Sequence, residues 1–128
     1  MKKIVCVVGT RPEAIKMAPV ILALQSSTWA KVFVLATAQH REMLDQVLSC
    51  FSIQPDYDFD VMKTNQSLSE LTALLIEKSA KLFNEIQPDA ILVHGDTTTA
   101  MACATAAFYT QIPIGHVEAG LQIGRAHV

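Results

Sequence analysis

Glycine and proline are scarce in this chain, five of each in 128 residues, and aromatic residues make up only 6%. Collagen-like repeats and low-complexity tracts need far more biased usage, and disordered chains need more than the 17% charged residues present. An excess of one sign of charge is missing as well. The formal net charge is −2, so no global positive field draws in nucleic acid or an anionic membrane. Any anionic ligand must be held by a few placed cations. The three cysteines, Cys6, Cys50 and Cys103, are far apart and form no CxxC pair, which excludes a disulfide framework or a zinc site. Each sits in an apolar run and is expected to behave as a small hydrophobe. Long hydrophobic runs are absent too. Met1-Lys2-Lys3 precedes only Ile4–Val8 before Gly9-Thr10-Arg11, too short for a signal peptide or a membrane span. The expectation is a soluble, cytoplasmic chain. What it does have is apolar residues, 51% of the total, enough for one hydrophobic core in a chain of single-domain length.

Those apolar residues are organised as short runs alternating with segments of helical period. Ile4–Val8 is rich in β-branched residues, as expected of a strand buried on both faces. Thr10-Arg11-Pro12-Glu13 then reads as a helix start. Thr10 caps, Glu13 closes a capping box, and Pro12 is tolerated in the first turn. This helix is expected to reach about Gln25, with Ile15, Ala18, Ile21, Leu22 and Gln25 on its apolar stripe and a kink at Pro19. Val32–Ala36 is a second strand, and Met43, Leu44, Val47, Leu48 and Phe51 follow at helical spacing. Gln54–Asp60 reads as a polar connection without period. Ser67-x-x-Glu70 opens another helix, with Leu68, Leu71, Leu75 and Leu82 on one face, ended by Gln87-Pro88-Asp89. Ala90–Val93 is a third strand, Thr97–Tyr109 a small-residue helix and Ile112–Val117 a fourth strand. This alternation predicts βαβ units in one doubly wound α/β layer with a parallel sheet.

In open parallel sheets ligands bind beyond the carboxyl ends of the strands. Each expected strand runs straight into polar residues that folding alone does not require: Gly9–Glu13, Thr37–Arg41, His94–Thr97 and His116–Gly120. Four such turns on one rim define a candidate site. Arg11 and Lys16 are the candidate anion anchors, beside the N–H groups of a helix start. Gly9 stands alone, so neither a GxGxxG fingerprint nor a P-loop is present. Asp96 and Glu118 are the candidate acid/base pair, with N-capping of the following helix as the competing role for Asp96. His94 and His116 each precede a carboxylate by two residues. No further ligand completes a metal set, and each reads as a structural histidine bonded to backbone.

Val8-Gly9-Thr10-Arg11-Pro12-Glu13-Ala14-Ile15-Lys16-Met17-Ala18-Pro19 resembles the opening of the non-hydrolysing UDP-N-acetylglucosamine 2-epimerases. Thr37–Gln46, Val93–Thr99 and Gly115–Leu121 resemble three further motifs of that family, in order and at its spacing, so the resemblance covers about Lys3 to Leu121. It implies a Rossmann-like domain, the N-terminal half of a two-domain GT-B fold. It also implies epimerisation at C2 of UDP-GlcNAc to UDP-ManNAc, supplying precursors of cell-surface polysaccharides. The C2 proton and UDP leave, a 2-acetamidoglucal forms, and UDP returns after reprotonation from the opposite face. By the same resemblance Arg11, Lys16 and His94 contact the nucleotide sugar, and Asp96 and Glu118 take acid/base or positioning roles. Gln39 and His40 match a segment near which a second UDP-GlcNAc activates bacterial members. Neither a cofactor nor a metal is expected, and the full-length protein is expected to be a homodimer.

The resemblance stops at Leu121. Gln122-Ile123-Gly124-Arg125-Ala126-His127-Val128 resembles the translation of a common sequencing adapter. Residues 1–121 are therefore expected to be an incomplete N-terminal domain and 122–128 a non-native tail, with little turnover from the chain alone. Three competing readings exist: another GT-B nucleotide-sugar enzyme, a non-catalytic nucleotide-binding module, and a metal-dependent phosphoesterase built on His94, Asp96, His116 and Glu118.

Overall fold

The computed structural model describes residues 1–37, 41–61, 66–95 and 97–117, without the side chains of Arg41 and Met43. In chain order the elements are β1 (Lys2–Val8), α1 (Arg11–Gln25), β2 (Ala30–Ala36), α2 (Arg41–Cys50), β3 (Tyr57–Asp58), α3 (Leu68–Ile86), β4 (Ala90–His94), α4 (Thr98–Tyr109) and β5 (Ile114–Val117). Among the described residues the strands form one sheet in the order β3-β2-β1-β4-β5, and every pairing is parallel. All carboxyl ends therefore emerge at the same edge. The strand order reverses direction between β1 and β4, the crevice where open α/β sheets bind ligands.

Both faces of β1 are buried, as its unbroken apolar run requires. Ile4, Cys6 and Val8 point into a cluster with Ala14, Met17, Ala18 and Ile21 of α1 and Leu44 and Leu48 of α2. Val5 and Val7 point the other way, toward Leu82, Phe83 and Ile86 of α3 and Ala100, Cys103, Ala106 and Ala107 of α4. The small residues of α4 let that helix sit close to the sheet. The doubly wound layer expected from the alternation is thus the observed one. Capping boxes start both α1 and α3, with Thr10 paired to Glu13 and Ser67 to Glu70.

Five local expectations need correction. The connection Gln54–Asp60 contains β3, which pairs Leu35 with Tyr57 and Ala36 with Asp58. A two-residue edge strand is held by its neighbour's backbone and carries no period of its own. The stripe of α1 is also displaced. Glu13, Ala14, Met17, Ala18 and Ile21 are buried, whereas Ile15 is 42% exposed and Leu22 and Gln25 face solvent. Leu68 opens α3 at 65% exposure, while Leu71, Leu75 and Leu82 are buried. Cys50 is exposed and only Cys6 and Cys103 are buried. Thr97, with its side chain accepting from the Ala100 N–H, caps α4 in place of Asp96. Among the described residues no helix is long and apolar enough to cross a membrane.

Candidate functional site

The carboxyl edge of the sheet is tied together by polar side chains from four of its five strands. β1 leads into Gly9, which is buried. A Cβ there would lie 2.5 Å from Thr37 Oγ1 and 2.7 Å from Thr99 Oγ1. Only glycine leaves room for these two hydroxyls, which meet at 3.3 Å. Thr37 follows β2 and Thr99 lies in the first turn of α4, so the contact spans the whole crevice.

Glu13 forms the second tie. It is the third residue of α1, yet only 3% exposed. Its Oε1 accepts the N–H groups of Gly9 at 2.8 Å and Thr10 at 2.9 Å. Its Oε2 accepts the hydroxyl of Thr97, across the crevice from its own helix. A buried carboxylate needs this many donors to offset its lost hydration, and the positive end of the α1 dipole adds to them. The capping box was legible in the sequence; the second carboxylate oxygen reaching the β4–α4 turn was not.

The β4–α4 turn is fixed from its other side too. Gly95 adopts φ +71°, left-handed backbone that glycine enters at no steric cost. Its carbonyl pairs with Nε2 of His116 on β5. A carbonyl can only accept, so Nε2 carries the proton. His116 is therefore the backbone-bonded histidine that was expected. His94, the last residue of β4, differs. It is half-buried, and its buried Nδ1 finds no partner among the described residues.

Arg11 and Lys16 are both exposed. Arg11 is the first residue of α1 and stands at the rim. Lys16 lies five residues on, which is about 7.5 Å along the axis and about 140° around it. The helix alone does not bring the two cations to one point. Gln39, His40, Asp96, Glu118 and the segment 122–128 lie outside the described residues. Asp96 stands in sequence between Gly95 and Thr97, both on this edge. Among the described residues no group of three or more His, Cys, Asp or Glu side chains is placed to hold a metal ion. Burial pushes the Cys6 and Cys103 thiols up to about 12, so neither supplies a thiolate at neutral pH.

Thr37 and Thr97 fall in two of the polar turns marked in the sequence, whereas Thr99, in the first turn of α4, was not singled out because a threonine inside a small-residue helix carries no signal of its own. Comparison with known proteins adds the following. A family model described as UDP-N-acetylglucosamine 2-epimerase matches residues 22–126. The UDP-N-acetylglucosamine 2-epimerase of Neisseria meningitidis serogroup A is 58% identical over 120 residues, covering 94% of this chain and 32% of that protein. The enzyme of the same name from Escherichia coli K12 is 55% identical over 122 residues, covering 95% and 32%. The crystal structure of UDP-GlcNAc 2-epimerase from Neisseria meningitidis bound to UDP-GlcNAc superposes with a TM-score of 0.88 at 56% identity, covering 96% of this chain and 33% of that one. The chain spans about a third of the length of these relatives.

Proposed function

Because the chain belongs to the UDP-N-acetylglucosamine 2-epimerase family, we propose that its carboxyl-edge rim holds a UDP-N-acetylhexosamine and serves epimerisation at C2. The reading rests above all on the likeness to a relative crystallised with UDP-GlcNAc. The crevice between β1 and β4 supports it, because the topology puts the β1–α1 and β4–α4 turns side by side there.

The reaction eliminates UDP across C1–C2. A base removes the C2 proton, the C1–O bond breaks with its electrons on the diphosphate, and a 2-acetamidoglucal remains. Reprotonation of C2 from the opposite face and return of UDP to C1 give UDP-ManNAc. In this scheme Arg11, at the rim, neutralises charge growing on the leaving diphosphate. Lys16 contributes a second positive charge from further along α1. Asp96 and Glu118 divide the proton transfers at C2. His94, at the carboxyl end of β4, contacts the bound sugar. Gln39 and His40 border an effector subsite for a second UDP-GlcNAc. The whole protein works as a cytoplasmic homodimer, and residues 122–128 take no part in the site.

The test is solvent isotope incorporation by the whole protein. In D2O, both UDP-ManNAc and recovered UDP-GlcNAc should carry deuterium at C2, read by proton NMR. Epimerised product that keeps its original C2 proton would exclude the elimination route.

A further inference from the structure

We infer that Glu13 is a positioning residue: its carboxylate clamps the β1–α1 turn to the β4–α4 turn and so sets the spacing at which both meet a nucleotide sugar. This rests on the function proposed above for its ligand, but the clamp itself is a matter of geometry. In an ordinary capping box the side chain of the third helical residue serves only its own helix start. Here Oε1 does that alone, accepting from both Gly9 and Thr10. Oε2 is left for a residue 84 positions away, Thr97. Thr97 in turn caps α4 through the Ala100 N–H at 3.1 Å. One hydroxyl thus accepts from its own helix and donates to the neighbouring one. The starts of α1 and α4 are coupled through one part-buried hydroxyl–carboxylate pair. Arg11 lies between Thr10 and Glu13 on one side of this link, and Gly95 adjoins it on the other. A change in the link must change the distance between groups carried by the two turns, which is where a ligand bridging them is sensitive.

Capping and clamping can be separated. Thr97→Asp keeps a good N-cap for α4 but sets a carboxylate against Glu13 where a donor stood. Thr97→Ser keeps both roles. In Glu13→Gln/Thr97→Asp the amide oxygen still accepts from Gly9 and Thr10, while the amide NH2 donates to the new carboxylate, so the link returns with reversed polarity. Two readouts at pH 8 decide. Calorimetric titration with UDP-GlcNAc should show about tenfold weaker binding for Thr97→Asp, as expected for loss of a charge-assisted bond. Thr97→Ser and the double variant should bind within about threefold of the unaltered chain. Amide exchange, followed without ligand, should accelerate about tenfold at Gly9 and Thr10 in Thr97→Asp and return in the double variant. Thr97→Asp with unaltered affinity and unaltered exchange would overturn the clamp, and so would a folded double variant that recovers neither. If the unaltered chain binds no UDP-GlcNAc while the exchange pattern follows this prediction, the ligand assignment fails and the clamp stands.

Discussion

At the scale of single residues, the rim depends on atoms that are absent or hidden. Gly9 has no Cβ, and the hydroxyls of Thr37 and Thr99 occupy its place. Gly9→Ala should therefore cost about 1–3 kcal/mol of stability, the usual penalty of overpacking. Urea denaturation should show part of it recovered when Thr37→Ala is added, and the remainder held by the Thr99 contact at 2.7 Å, since residues sharing one space are not independent. The buried thiols give a second expectation. Cys6 and Cys103 are pushed up to about 12 by burial, against about 8.5 in an unfolded chain. Their contribution is complete below pH ~8.5 and is lost as pH rises toward the folded value, by up to about 1.4 kcal/mol per pH unit for each thiol. The urea midpoint should fall above pH 9, less steeply in Cys103→Ala. A thiol-specific chromogenic reagent should label only Cys50 in the native chain, and all three cysteines after unfolding. None of these contacts was legible in the sequence. The capping partner of Glu13 lies three residues away and can be read, whereas Thr97 becomes its neighbour only through the fold.

At the scale of elements, legibility followed how much of each signal was local. β1 and β2 were found because an all-apolar β-branched run has few other uses, and α3 because Ser67 and Glu70 mark its start. β3 escaped because its two residues are held only by β2. The phase of α1 escaped for another reason. Its residues are apolar nearly all round, so the stripe is set by packing against β1 and α2 and not by pattern. Ile21, at the buried centre, should cost about 2–5 kcal/mol when changed to alanine. Ile15, 42% exposed, should change stability by less than about 1 kcal/mol on the same substitution. Thermal or urea denaturation of this pair distinguishes the observed stripe from the one expected from hydrophobicity. Equal losses would return Ile15 to the core.

At the scale of the whole molecule, parallel pairing does what no individual side chain could. It delivers turns far apart in sequence to one edge, and the bonds of Glu13, Thr37, Thr99 and His116 join them there. That the carboxyl ends of the strands share one rim was legible, because strand–helix alternation dictates a parallel sheet and a parallel sheet has one carboxyl edge. The separation of Arg11 from Lys16 around α1 was legible in principle from helix geometry. The most direct measurement of the account is amide chemical-shift mapping with UDP-GlcNAc on the isotopically labelled chain. The account predicts shifts concentrated at Gly9, Thr10, Gly95, Thr97 and His116, with the amino edge around Lys2, Trp29 and Asp89 unmoved. Shifts confined to that amino edge, or none at millimolar ligand, would contradict it.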